Sequence, residues 1–271
     1  MRLSLLKKLI TFVIVAGATA YLGAVAYLYF SQDRLIFPVR AADTENAADE
    51  NFQKVLIDTP DGEQIFALHH PSEEGEATII VFHGNSSSAV RQKNRGERLM
   101  NAGYGVLLAG YRGYPGSTGK PSETGLFKDA IAAYDFLQAQ RAQQIALYGH
   151  SLGTGVATYL ATQRDVFAVM LEAPFNSVAA VAADRYPWVP VLSLIKHDFQ
   201  SDEHIKKITA PILIMHGDND TTVPLEYGQR LYANAPEGAE FIIIEGLGHG
   251  GFSRIGSEER AIEFFNKALA N

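Results

Sequence analysis

Six short stretches of this chain are apolar along their whole length: residues 78–82 (TIIVF), 104–109 (YGVLLA), 145–148 (IALY), 168–172 (AVMLE), 212–216 (ILIMH) and 240–245 (EFIIIE). A strand with water on one face alternates apolar and polar residues, so continuous runs of this length mark strands covered on both faces, as in a parallel sheet. Stretches with helical periodicity separate them. Residues 125–140 place Leu126, Ala130, Ala133 and Phe136/Leu137 on one stripe, and 151–163 and 257–270 read as further helices. Strand–helix alternation implies right-handed βαβ units and a doubly wound sheet. Residues 54–58 and 64–69 flank Pro60-Asp61-Gly62, a turn signal, and add an antiparallel hairpin, giving eight expected strands.

The rhythm breaks once. More than thirty residues, about 175–207, separate the fourth and fifth of these apolar runs, with Tyr186-Pro187-Trp188-Val189-Pro190 in their middle. That is too long for an ordinary crossover, and we read it as a small cap of one or two short helices over the site. At 271 residues and 47% hydrophobic the chain can bury one large core. Its net charge of −7 offers no basic field for a phosphate backbone, so nucleic acid is excluded as a partner. With no cysteine, disulfides, thiolate catalysis and cysteine zinc sites are excluded too. No metal-ligand spacing, cofactor motif or phosphate loop is visible, and the oligomeric state is not legible.

The N-terminus has a different character. Residues 9–30 form 22 positions without a charge, which as a helix rise about 33 Å, roughly the thickness of a bilayer's hydrocarbon. Arg2, Lys7 and Lys8 flank the run on its N-terminal side, and Tyr27 and Tyr29 suit the far interface. These features imply a membrane anchor over 1–30, a cytoplasmic N-terminus and a domain on the exoplasmic or periplasmic side. Ala18-Thr19-Ala20 could serve as a signal-peptide cleavage site, but the apolar run continues ten residues beyond it. Residues 31–51, small and polar from 41 onward, read as a linker to a domain over 52–271.

The chemistry is concentrated at strand ends. Gly149-His150-Ser151-Leu152-Gly153 fits G-x-S-x-G, follows the strand IALY and opens a helix. A serine in so tight a turn leaves no room for side chains two residues away, which glycine at 149 and 153 accommodates. The helix start would direct its positive end at a developing oxyanion. A serine hydroxyl needs a base. His249, in the glycine-rich loop after the last strand, is the best placed of eight histidines. The base needs a carboxylate to hold its tautomer, and Asp218 and Asp220 both follow ILIMH. Oxyanion donors are expected from the amides of Leu152 and Asn85, with Ser86 as an alternative to the latter. Phe175, Tyr186 and Trp188 of the cap are expected to line an apolar substrate site. His83 reads as a structural residue, and Tyr111, Arg112 and Tyr114 as braces for the glycine-rich loop 110–125.

Several segments together resemble a known group: QDRLIFP at 32–38, FHGNSSS at 82–88, GYRGYPGSTGKPSETG at 110–125, GHSLGTGVA at 149–157, YPWVP at 186–190 and HGDNDTTVP at 216–224. The chain is similar to the membrane-anchored α/β-hydrolase-domain serine hydrolases of the Bem/ABHD type, related to prolyl-oligopeptidase-like enzymes. The resemblance implies the α/β-hydrolase fold, an eight-stranded, mostly parallel sheet. It also implies the triad order Ser151, Asp220, His249. The family's G-x-x-D-x-x-V-P pattern selects Asp220 over Asp218. The activity expected is hydrolysis of carboxylic esters or thioesters of lipophilic acyl groups, without a cofactor. A peptidase related to prolyl oligopeptidase, or a tethered binding protein on an inactive scaffold, are the alternatives.

Overall fold

The computed structural model describes residues 2–142 and 144–270, with Met1, Gln143 and Asn271 outside the described residues. A single sheet of eight strands runs in the order β1-β2-β4-β3-β5-β6-β7-β8. β1 (Gln53–Asp58) and β2 (Gln64–His70) form the expected hairpin, and β2 also pairs antiparallel with β4 (Gly105–Ala109). The remaining pairs are parallel: β3 (Thr78–Phe82), β5 (Ile145–His150), β6 (Ala168–Glu172), β7 (Ile212–Gly217) and β8 (Glu240–Ile244).

The period of two in a strand divides each central one between two cores. Ile80 and Phe82 of β3 and Ile145 and Leu147 of β5 face α3 (Glu123–Ala139) and α4 (Leu152–Leu160). Ile79, Val81, Ala146 and Tyr148 face α2 (Lys93–Asn101) and the C-terminal helix (Ser257–Leu269). β8 departs from the expectation of burial on both faces. Ile243 is 48% exposed, because β8 is the edge strand and pairs only with β7.

Between β6 and β7 lie three short helices: α5 (Val178–Arg185), α6 (Val191–Leu194) and α7 (Ser201–Ile205). α5 and α6 form the cap, whereas α7 packs on α4 in the body of the domain. Glu123 fastens the return of the chain, its carboxylate accepting the amides of Asp198 (2.8 Å) and Phe199 (3.0 Å). α8 (Leu225–Tyr232) links β7 to β8, and the C-terminal helix is α9.

The N-terminal helix α1 runs from Arg2 to Ile36, past the expected boundary at residue 30. Pro38 sets its end, since the residue before a proline is pushed out of the helical region. The helix over Ser4–Ile36 is long and apolar enough to cross a membrane, with mean hydropathy 2.1 in its 18-residue apolar stretch. The expected linker is not free chain. Phe37 and Ala47 are buried, Lys93 pairs with Asp49, and Asp49 accepts the amides of Asn51 and Phe52 at 2.9 Å.

Candidate active site

β5 ends in a sharp turn into α4, with Ser151 at φ 51° and ψ −118°. Such a conformation in a residue with a Cβ is held only where the surroundings over-determine it. Here the strand and helix close so tightly that a Cβ at Gly153 would stand 2.1 Å from the carbonyl oxygen of Phe82. One at Gly149 would stand 2.6 Å from that of Gly153. The amide of Ser151 is anchored to the carbonyl of Glu172 at 2.9 Å.

The loop after β8 carries His249 to this turn. Its Nε2 lies 2.8 Å from Ser151 Oγ, and its Nδ1 lies 2.7 Å from Asp220 Oδ2. Asp220 is buried, and its other oxygen accepts the amides of Thr222 (2.8 Å) and Val223 (2.9 Å). Burial opposes its charge, but hydrogen bonds from His216 and His249 and the Val223 amide outweigh it. They hold the carboxyl below the usual carboxylate range. Asp218, the alternative left open by the residues alone, is exposed and accepts the amide of Gly246 at 2.7 Å. It shapes the turn after β8 and lies apart from the imidazole.

The loop after β3 approaches from the other side. A Cβ on Gly84 would lie 3.2 Å from His150 Cδ2 and 3.4 Å from Ser151 Cβ, a tight fit that glycine relieves. Asn85 and Ser86 line the cavity beside Ser151 and Leu152. Asn85 is held by its other groups: Tyr114 Oη donates to its carbonyl (2.8 Å), and its Nδ2 donates to the carbonyl of Ile36 (3.2 Å). Tyr111 Oη donates to the carbonyl of His83 at 2.9 Å, and Arg112 is bound between Asp129 and Asp61. Tyr111 and Tyr114 therefore brace the β3 loop, while Arg112 ties loop 110–125 to α3 and to the β1–β2 turn. His83 is fully buried, and desolvation pushes its imidazole down to about 4 despite a bond to the Gly84 carbonyl, keeping it neutral.

A cavity of about 800 Å³ opens over Ser151 and His249, and Phe175 and Tyr186 line it as expected from the cap. Trp188 does not. It sits at the outer tip of the cap, 48% exposed, with its carbonyl accepting the hydroxyl of Tyr21 on α1 at 3.0 Å. The Pro187-Trp188 turn carries it away from the mouth, and Leu35 and Ile36 of α1 supply apolar wall instead. Among the described residues, no group of three or more His, Asp or Glu side chains is placed to hold a metal.

Behind the turn lies a cluster that no sequence motif announces. Arg95 of α2 donates to Glu172 (2.8 Å) and to Glu258 of α9 (3.0 Å), all three buried. Tyr148 Oη donates to Glu172 Oε1 at 2.5 Å, and His150 Nδ1 lies 3.3 Å from Glu172 Oε2. Burial alone would raise the Glu172 carboxyl, but the Arg95 charge overrides it and brings it down to about 2. His216, also buried, shares its Nε2 between the carbonyl of Val223 (2.8 Å) and Asp220 Oδ2 (3.5 Å). It meets the same carboxylate oxygen as His249.

Residues 73–201 match a family profile described as serine aminopeptidase, S33. An uncharacterized protein of Mycobacterium tuberculosis is 35% identical over 237 residues, covering 84% of this chain and 83% of that one. Human ABHD12B is 38% identical over 181 residues, 59% of this chain and 50% of that protein. The chain belongs to the ABHD-type α/β hydrolases. The lysophosphatidylserine lipase ABHD12 of Rattus norvegicus is 32% identical over 200 residues, 66% of this chain and 49% of its own. This ABHD-type chain thus spans about half the length of those animal relatives. The Pyrococcus furiosus esterase Pf2001 shares the fold, with TM-score 0.68 at 21% identity, over 84% of this chain and 96% of that one.

Proposed function

We propose that this hydrolase cleaves carboxylic esters or thioesters of lipophilic acyl groups through an acyl-enzyme on Ser151. The observation that carries the reading is the continuous hydrogen-bonded line Ser151–His249–Asp220 at the floor of a cavity walled by Leu35, Ile36, Phe175 and Val178. His249 Nε2 takes the hydroxyl proton as Oγ attacks the acyl carbonyl, and Nδ1–H remains on Asp220, which offsets the imidazolium charge. The amides of Leu152 and Asn85 receive the oxyanion, Leu152 as a first-turn N–H of α4 without a helical partner. The imidazolium then protonates the leaving group, and water, deprotonated by the same nitrogen, releases the acid.

The apolar walls favour an acyl chain, and the relatives named as lysophosphatidylserine lipases support a lipid ester. The family profile named for aminopeptidases keeps peptide cleavage as the competing outcome of the test. In the proposed organisation, 1–30 is the membrane anchor and 52–271 the hydrolase domain with its cap near 175–207. Lys7 and Lys8 keep the N-terminus cytoplasmic and place the domain across the membrane. Membranes carrying the full chain are expected to label with a fluorophosphonate probe. They should hydrolyse p-nitrophenyl octanoate or decanoate at least tenfold more efficiently, by kcat/KM, than the acetate. Turnover of chromogenic dipeptides above that of the esters would reverse the assignment, and labelling that persists in Ser151→Ala would end it.

A further inference from the structure

The tip of the cap is apolar, exposed and seated against the membrane helix rather than over the catalytic cavity. Residues 186–195 (YPWVPVLSLI) carry no charge, and Trp188 and Leu192 are 48% and 76% exposed. The tip is also poor in free backbone donors. Positions 187 and 190 are proline, and the amides of Tyr186, Val189 and Val191 are bonded to the carbonyls of Ala182, Tyr186 and Val189. The Trp188 carbonyl is taken by Tyr21 Oη. A segment built this way loses little hydrogen bonding when it leaves water.

Its height on α1 fixes what it meets. The charged and polar groups that follow the tip meet the helix from Tyr29 onward. Lys196 Nζ stands 4.7 Å over the Tyr29 ring, the Lys196 amide donates to Gln32 Oε1 at 2.8 Å, and His197 lies 3.2 Å from Asp33. The tip itself reaches Tyr21, whose ring lies 6.2 Å from that of Trp188. Eight residues of helix separate the two levels, a rise of about 12 Å. A bilayer surface at Tyr29 leaves the helix from Lys8 to Tyr29 to cross it, about 31 Å, which matches the hydrocarbon thickness of about 30 Å. The tip then lies about 12 Å below that surface along the helix axis, near the 5–10 Å depth of interfacial segments once tilt is allowed for.

We propose that the outermost residues of the tip, 187–193, are seated in the outer boundary of the leaflet beside them, while Leu194, whose carbonyl accepts from Gln32 Nε2 at 3.3 Å, stays above it, so that the chain holds the bilayer by two adjoining elements. A small apolar slot of about 90 Å³ between α1 and the cap shares Leu35, Ile36 and Tyr186 with the catalytic cavity. A tip in the leaflet brings that slot to lipid.

Trp188 is the sole tryptophan, so its emission reports the tip without any substitution and without reference to catalysis. The full chain reconstituted in phosphatidylcholine vesicles is expected to show blue-shifted emission, at least halved by 6,7-dibromo-phosphatidylcholine and little affected by acrylamide. Emission quenched by acrylamide and untouched by the brominated lipid would overturn the proposal. So would blue-shifted emission indifferent to both quenchers, which would mean that a second copy of the chain covers the tip.

Discussion

Ser151→Ala is expected to lower ester turnover by roughly 10⁴-fold or more, and Asp220→Asn by about the same factor, while Asp218→Asn stays within a few-fold of the parent. The reasons are separable. Removing Oγ removes the atom that accepts the acyl group. Asn at 220 keeps the shape but presents an amide that cannot offset an imidazolium, and it can turn its NH₂ toward Nδ1, favouring the wrong tautomer. Asp220 suits the carboxylate role because two backbone amides and His216 already hold it in one orientation and in its charged form. Asp218 only receives the Gly246 amide, which an asparagine oxygen can also accept. The measurement is kcat/KM for a p-nitrophenyl ester, with thermal unfolding to confirm that each variant is folded. Comparable losses at 218 and 220 would remove Asp220 from its assigned place. Full activity in Ser151→Ala would remove the acyl-enzyme altogether.

The parts of the fold that rest on local pattern are the parts the sequence announces. Each of the eight strands falls where an apolar run or the hairpin signal puts it, within two residues at either end. The differences follow from partners. β5 extends through His150 because Gly149 and His150 still pair with Leu171 and Glu172 of β6. The helix α4 begins at Leu152 because Ser151 takes a conformation with positive φ. The serine, imidazole and carboxylate are legible because each sits in a short glycine-rich stretch directly after a strand, and strand ends of one parallel sheet share an edge. Residues whose partners are far away in sequence leave no such mark. Arg95, Glu172 and Glu258 belong to α2, β6 and α9, and nothing in KNRGERLMN identifies one arginine as buried. A basic residue in a short helix is ordinarily solvated. Trp188 misled for a related reason. An aromatic residue in a cap insertion is apolar inside the cavity or outside it, and only the packing of α1 against the cap puts Trp188 outside, against Tyr21.

Replacing Arg95 by methionine should cost the protein more stability than the substitutions at Ser151, Asp218 or Asp220. Arg95 is the cation that lies between two fully buried carboxylates, and its guanidinium also stacks 4.6 Å from the ring of Tyr148. Methionine retains most of the apolar volume and removes the charge. Glu172 and Glu258 then remain as buried anions without that partner, a loss of about 3–5 kcal/mol, or roughly 10 °C in Tm for a domain of this size. The sign with pH is fixed by Glu172. Its carboxyl is held down to about 2 from 4.5, so its contribution is complete above about 4.5 and is lost as pH falls toward 2. Arg95→Met should therefore lose its deficit in acid, where a protonated Glu172 no longer needs the cation, and Glu172→Gln should flatten the acid limb of the parent. The cluster also borders the Ser151 turn, since Ser151 N–H is tied to the Glu172 carbonyl and Glu258 lies in the first turn of α9. A methionine variant that melts within 1 °C of the parent at pH 7 would mean that water, not Arg95, satisfies these carboxylates. The buried cluster would then contribute nothing to holding the turn in its strained conformation.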